Sequence, residues 1–175
     1  MAENQPRASF TVTVTEADYL AAARIASARG GLLAGARRGA LAALAAALLL
    51  VFLTRTLWVK VAVAAVAVCA AGLIWWLSCR RVAAIARRDF AVFASLLCPA
   101  TAQLWEDEMR LVGATLTRID PYALLPLMVE TPTLFVFLRE DGSFALLPKH
   151  DIPADGGRIH EFLRTTFARK TRRIK

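Results

Sequence analysis

Two apolar runs decide the fold: GALAALAAALLLVFL at residues 39–53 and VAVAAVAVCAAGLIWWL at residues 61–77, joined by TRTLWVK at 54–60. Both runs lack acidic residues and histidine, and both would be apolar all round as helices, unlike the one-sided helices of soluble proteins. A spanning helix needs about 20 residues. The first run reaches that length if the flanking arginines extend to the headgroups. The sequence therefore predicts a transmembrane helical hairpin over residues 31–79.

The alternative is a core hairpin buried inside a soluble protein. A chain of 175 residues leaves too little polar sequence to enclose both runs. Tryptophans favour the membrane interpretation, because Trp58 would lie at one interface and Trp75 and Trp76 at the other. The first ten residues contain no apolar stretch, so no cleavable signal peptide is expected.

The basic residues predict the orientation of the hairpin. They concentrate outside the two runs, whereas the connecting loop has only Arg55 and Lys60. The flanking set is Arg24, Arg29, Arg37 and Arg38 before the first run, and Arg80, Arg81, Arg87 and Arg88 after the second. Positive residues favour the cytoplasmic side. We therefore expect a multi-pass protein of the bacterial inner membrane with both termini in the cytoplasm.

Composition separates a membrane part from a polar part. Hydrophobic residues make up 57% of the chain, yet 21% of the residues are charged and the net charge is +8. Much of the positive charge lies beside the apolar runs or in a polybasic tail, residues 169–175. This placement favours anionic lipid as a partner over nucleic acid, since the tail has no interleaved aromatic residues.

The segment before the hairpin, residues 1–30, predicts a strand and a helix. Phe10–Thr15 alternates with period two and is rich in β-branched residues. Thr15, with Asp18 three residues later, can cap a helix that runs to Arg29. A lone strand needs a partner, so we expect it to pair with strands that follow the hairpin. The second span should continue as a juxtamembrane helix over residues 80–98. It either lies on the lipid surface or packs on the soluble domain.

Residues 99–168 predict a small antiparallel sheet with a C-terminal helix, which makes the chain α+β. The candidate strands are Leu111–Ile119, Leu124–Glu130, Thr133–Arg139 and Ser143–Leu147. Asp141-Gly142 suits a type I′ hairpin turn. The continuously apolar Leu134–Leu138 indicates a central strand covered on both faces. In the last helix, RIHEFLRTTF, an apolar stripe of Ile159, Phe162, Leu163 and Phe167 should cover the sheet.

The order of these elements resembles the YcxB-like family of bacterial membrane proteins. The resemblance rests on Asp18-Tyr19, Pro121-Tyr122 and Leu147-Pro148-Lys149. Tyr122 stands where the family often has tryptophan, and His150 where arginine is usual. The resemblance implies a pleckstrin-homology-like (PH-like) barrel or half-barrel for the soluble domain and implies no activity.

The polar residues predict no catalytic, cofactor or metal site. Glu106-Asp107-Glu108 is typical of a solvated turn between strands, His150 and His160 of surface residues, and the three cysteines of small apolar fillers. Gly156-Gly157 could approach a phosphate but is explained more simply as a loop-to-helix connection. The residues expected to contact lipid are Arg80, Arg81, Arg87, Arg88, Arg169, Lys170, Arg172, Arg173 and Lys175.

These observations favour a non-enzymatic, membrane-anchored interaction module whose cytoplasmic domain docks a protein or a lipid headgroup. The alternative is a regulatory or accessory subunit of a membrane enzyme or transporter. The expected partners are membrane lipid and an unidentified protein. The alanine-rich faces of the spans also allow a homo-oligomer.

Overall fold

The computed structural model describes residues 5–153, 156–168 and 170–173, and it is α+β. The helices are α1 (Glu16–Arg29), α2 (Leu32–Leu53), α3 (Leu57–Leu97) and α4 (Gly157–Thr166). The strands are β1 (Ala8–Val12), β2 (Ala100–Leu104), β3 (Glu108–Val112), β4 (Thr117–Pro121), β5 (Leu127–Glu130), β6 (Leu134–Leu138), β7 (Phe144–Pro148) and β8 (Thr171–Arg173). Short 3₁₀ turns lie at Tyr122–Leu124 and Lys149–Asp151.

The chain divides into two compact units. A helical unit covers Ser27–Ile85, and a sheet unit contains the described residues up to Ala26 and from Ala86 onward. Helix α3 therefore begins in the helical unit and ends in the sheet unit.

The helical unit exposes apolar side chains that a soluble protein would bury. Both α2 and α3 are long and apolar enough to cross a membrane, and only 6% of the most apolar 18-residue window of each helix is buried. Phe52 and Trp58, near the connection between the helices, are 78% and 82% exposed. Apolar side chains on a core helix of a soluble protein are mostly buried, so these exposed fractions do not fit such a helix.

Strands β1 to β4 form the first sheet of the sheet unit, and the order along the sheet follows the chain. Phe10 of β1 lies opposite Ala102 of β2, so the strand before the hairpin pairs with the first strand after it. This confirms the prediction that the N-terminal strand completes a later sheet. The observed strand begins two residues earlier than expected, and the backbone N–H of Thr13 instead donates to Asp151 Oδ2 at 2.7 Å.

The second sheet has the order β7-β6-β5-β8. Its first three strands are antiparallel, as predicted, and every residue of β6 is buried, as expected for a covered interior strand. Strand β8 adds to β5 in parallel, with Arg172 opposite Val129. The single small sheet expected from the sequence is therefore two four-stranded sheets, one of which contains a parallel pair.

One apolar core joins both sheets and α4. Its largest fully buried side chains include Phe135, Phe137 and Phe167. The predicted stripe of α4 supplies Leu163, which is fully buried, and Ile159 and Phe162, which pack at the edge of the core. Aromatic contacts also join α1 to this unit, since the ring of Tyr19 lies 5.1 Å from that of Phe144 and 5.7 Å from that of Phe90.

Several local predictions are corrected. The expected strand Leu111–Ile119 is split at residues 113–116, where the backbone turns between β3 and β4. The β6–β7 turn is not type I′, because only Gly142 has a positive φ, +83°. The Gly142 N–H donates to the Arg139 carbonyl, so the loop is a type I turn followed by a left-handed glycine.

The predicted cap of α1 is confirmed: the Asp18 N–H donates to Thr15 Oγ1, and the Thr15 N–H donates to Asp18 Oδ2.

Candidate functional site

A buried carboxylate ends strand β5. The strand reads LMVE, and Glu130 at its end is only 5% exposed. A charged group removed from water must find charged or hydrogen-bonded partners. Glu130 finds them on three different elements of the sheet unit.

Three cations converge on the two oxygens of Glu130. Lys149, in the 3₁₀ turn after β7, places Nζ 3.0 Å from Oε1. Arg164 of α4 donates from Nη2 to Oε1 at 2.7 Å and from Nε to Oε2 at 3.3 Å. Arg173 of β8 has its Nε 3.2 Å from Oε2. We refer to Glu130, Lys149, Arg164 and Arg173 as the Glu130 cluster.

The cations set the ionisation of the carboxyl group. The hydrogen bonds from Arg164, followed by those from Lys149, lower the pKa of Glu130 from 4.5 to about 2 despite the opposing effect of burial. The same interaction raises the pKa of Arg164. Glu130 is therefore fully ionised at neutral pH, and the cluster holds three positive charges around one negative charge.

An open groove of about 780 Å³ lies along α4 beside this cluster. Its lining includes Gly156, Gly157, His160, Glu161, Arg164 and Thr165. The imidazole of His160 packs edge-on against Phe135 at 5.2 Å, so it is a half-buried residue and not a fully exposed one. Burial and the nearby Lys149 and Arg164 lower the pKa of His160, which keeps the ring neutral at pH 7.

A second buried acid serves the fold. Asp120 of β4 is fully buried and pairs with Arg118, Nε to Oδ2 at 2.9 Å, and with Arg139. Arg118 also donates to the carbonyl of Phe144 at 3.0 Å. Since Arg118 belongs to the first sheet and Phe144 to the second, this cluster joins the two sheets and is explained by structure alone.

The predicted lipid-contacting residues fall into separate places. Arg80 and Arg81 belong to the helical unit, where the Arg80 guanidinium lies 4.7 Å from the ring of Trp76. In the sheet unit, Arg87 pairs with Glu16 at 3.1 Å, and Arg88 is exposed. Their contact with lipid stays a prediction.

The polybasic tail is partly folded. Residues 171–173 form β8, Lys170 leads into it, and its carbonyl accepts a bond from the Met128 N–H at 2.9 Å. Arg172 and Arg173 are exposed, and Arg173 contacts Glu130 as well. Arg169 and Lys175 lie outside the described residues.

Sequence reasoning missed the Glu130 cluster. A usable signal existed, because a glutamate at the end of a short apolar strand must be paired once that strand is buried. The partners could not be named in advance, since Lys149, Arg164 and Arg173 lie 19 to 43 positions away and meet Glu130 only through the sheet and α4.

The structure also places the other candidate residues of the sequence. In the acidic run, Glu106 pairs with Arg7 at 2.8 Å in the turn after β2, while Glu108 already belongs to β3 and pairs with Arg110. Within the described residues no group of three or more His, Cys, Asp or Glu side chains could hold a metal ion. The three cysteines are free thiols.

Comparison of the chain with family models, with curated proteins and with solved structures gave no match. The resemblance to the YcxB-like family therefore stays a prediction that rests on the sequence pattern alone.

Proposed function

We propose that this chain is a non-enzymatic, membrane-anchored interaction module of the bacterial inner membrane. In this proposal α2 and α3 form a transmembrane hairpin, and the sheet unit docks a protein or a lipid headgroup in the cytoplasm. The observation that carries the proposal is the exposed apolar surface of the two long helices, in a chain whose sheet unit is a second compact unit with its own buried core. A lipid bilayer would remove such an apolar surface from water.

Strand pairing supports an even number of membrane crossings. Strand β1 precedes the hairpin and β2 follows it, yet their backbones pair over five residues from Ala8–Leu104 to Val12–Ala100. In the proposed arrangement this pairing requires both ends of the hairpin to lie on one side of the bilayer. The arginine distribution then favours the cytoplasmic side.

The architecture of the sheet unit supports a docking role. Seven antiparallel strands in two sheets, followed by α4, are compatible with the PH-like barrel or half-barrel implied by the family resemblance, although β8 adds a short parallel strand after α4. In the Glu130 cluster two arginines stay partly exposed, which suits recognition of a negatively charged partner.

The second candidate, an accessory subunit of a membrane complex, has its own supporting feature. Within the helical unit, α2 and α3 leave an apolar groove of about 400 Å³, lined by Ala43, Ala46, Ala47, Leu50, Ala62, Val63, Val66 and Ala67. Small side chains permit close approach of another helix in lipid. Purification in mild detergent separates the two candidates, since a stoichiometric enzyme or transporter would accompany an accessory subunit.

Cysteine labelling tests the anchoring and its orientation. In a background in which the native cysteines are replaced by serine, Thr56→Cys in the connecting loop should react in intact cells with a membrane-impermeant maleimide. Glu140→Cys, at the exposed β6–β7 turn, should react only after the membrane is opened. Labelling of position 140 in intact cells would overturn the orientation, and recovery of the chain in the soluble fraction would overturn the anchoring.

A further inference from the structure

We propose that the groove beside α4 binds the phosphate group of a phosphomonoester, with Arg164, which lines the groove, as the principal contact and the other two cations of the Glu130 cluster next to it. The inference deepens the proposed function, on which it rests, because it names the chemistry that the sheet unit would recognise in a headgroup. The same chemistry occurs in a lipid headgroup and in a free sugar or glycerol phosphate.

The cluster has more hydrogen-bond donors than its carboxylate can accept. Arg164 uses Nε and Nη2 for Glu130, and within the part of the chain that the structure describes the N–H groups of Nη1 remain for another acceptor. The side chains of Arg164 and Arg173 are 45% and 64% exposed, so water or a ligand can reach them. Glu130 thus holds the two arginines in place and leaves them accessible, whereas Lys149 is only 18% exposed.

The charge of the site favours an anion. Arg164 lines the groove, and Lys149 and Arg173 lie next to it because they bind the same Glu130 carboxylate. The groove itself adds one further carboxylate, Glu161. Together these three cations and two carboxylates carry a net positive charge, even though His160 is neutral. A phosphomonoester carries about −1.5 to −2 at pH 7. The planar fork of an arginine matches its oxygens better than an ammonium group does.

The groove has room for a ligand larger than phosphate alone. Its volume of about 780 Å³ is within the range of small-molecule sites. Gly157 forms part of the wall, and a Cβ placed on it would meet nothing within 4 Å. A longer side chain at this position would therefore project into open space and not into the core.

Gly157 provides a matched pair of test variants. Gly157→Glu puts a negative charge beside the site, and Gly157→Gln puts a neutral side chain of the same shape there. A glutamate in the first turn of α4 also favours the helix, so loss of folding is not expected. The full chain in phosphatidylcholine nanodiscs is titrated with glycerol 3-phosphate by calorimetry, with glycerol as the uncharged control, and its amide exchange is compared between the two variants.

We expect saturable binding of glycerol 3-phosphate and no binding of glycerol. The affinity for glycerol 3-phosphate should be at least about tenfold weaker in Gly157→Glu than in Gly157→Gln, because repulsion by one nearby like charge weakens binding by a factor of that order. Equal affinities in two variants with equal amide protection would overturn the site and leave a purely structural ion cluster. So would the absence of saturable binding to the unmodified chain.

A second arm identifies the source of the phosphate. If phosphatidic acid in the nanodisc weakens the binding of glycerol 3-phosphate, and does so in Gly157→Gln as in the unmodified chain, the site takes a lipid headgroup. Undiminished binding assigns it to soluble phosphates. Cysteine labelling uses no ligand, so failure of the phosphate site and failure of membrane anchoring are distinguished.

Discussion

Replacing Glu130 by glutamine should lower the free energy of unfolding of the sheet unit by about 2–3 kcal/mol at pH 7. The surrounding cations lower the pKa of this carboxyl group from 4.5 to about 2, which corresponds to about 3 kcal/mol in favour of the charged form in the folded state. The lower figure allows for the exposure of Arg164 and Arg173, which water screens in part. The substitution also removes the counter-charge of Lys149, whose side chain is only 18% exposed.

The pH dependence has a defined sign. Because the folded-state pKa of Glu130 lies below the unfolded-state value, the unfolded chain takes up the proton first as the pH falls. The stabilisation is therefore complete above about pH 4.5 and is lost as the pH falls through about 2. The difference in stability between the unmodified chain and Glu130→Gln should shrink across that interval.

Amide exchange of the full chain in nanodiscs measures this effect at pH 7 through peptides from β5 and β6. Thermal unfolding followed by circular dichroism extends it to acid pH. Glu108→Gln is the matched control, because the Glu108 side chain is more exposed than that of Glu130, 19% against 6%, and pairs with one arginine. We expect that substitution to cost about 0–1 kcal/mol. The reasoning is refuted if the two substitutions cost the same, or if the Glu130→Gln deficit is as large near pH 2 as at pH 7.

Two further predictions concern the fold of the sheet unit. Phe10→Ala should lower the stability of this unit by about 3–5 kcal/mol, because Phe10 of β1 is buried in the shared core. The control Ser9→Ala, on the exposed face of β1, should change the stability by less than about 0.5 kcal/mol. Equal amide exchange in the two variants would contradict this prediction. Gly113→Ala should cost about 1–3 kcal/mol because its Cβ would approach the Leu97 Cα to 2.7 Å, whereas Gly157→Ala has open space. Denaturant midpoints measure both, and a Gly113→Ala midpoint equal to that of Gly157→Ala would show that the β3–β4 turn can shift.

Local patterns predicted most of the elements because their signals are contained within single segments. The apolar length of α2 and α3, the Thr15 cap of α1 and the stripe of α4 depend only on neighbouring residues, and each element is present. The prediction that β6 is an interior strand succeeded for the same reason, since its five residues are all apolar.

The missed elements depend on partners that lie far away in the chain. Strand β2, ATAQL, has few β-branched residues and forms because β1 and β3 flank it on both sides. Strand β8, TRR, has no apolar pattern and depends on β5 and on the pairing of Arg173 with Glu130. The Glu130 cluster combines β5, β8, α4 and a 3₁₀ turn, so no single segment contains enough of it to predict it.

The pairing of β1 with β2 has a consequence for how the protein is made. Phe10 leaves the ribosome about 90 residues ahead of Ala102, its partner in the register. At about 5–20 residues per second this strand waits roughly 5–20 seconds without its hydrogen-bonding neighbour. If the helices insert as proposed, a chain that inserts only one of them would leave β1 and β2 on opposite sides of the bilayer. The first sheet would then stay incomplete and the core open to water. Under that proposal, correct insertion is a precondition for completing the first sheet, and a misinserted chain would leave the apolar side chains of β1 and β2 exposed to water.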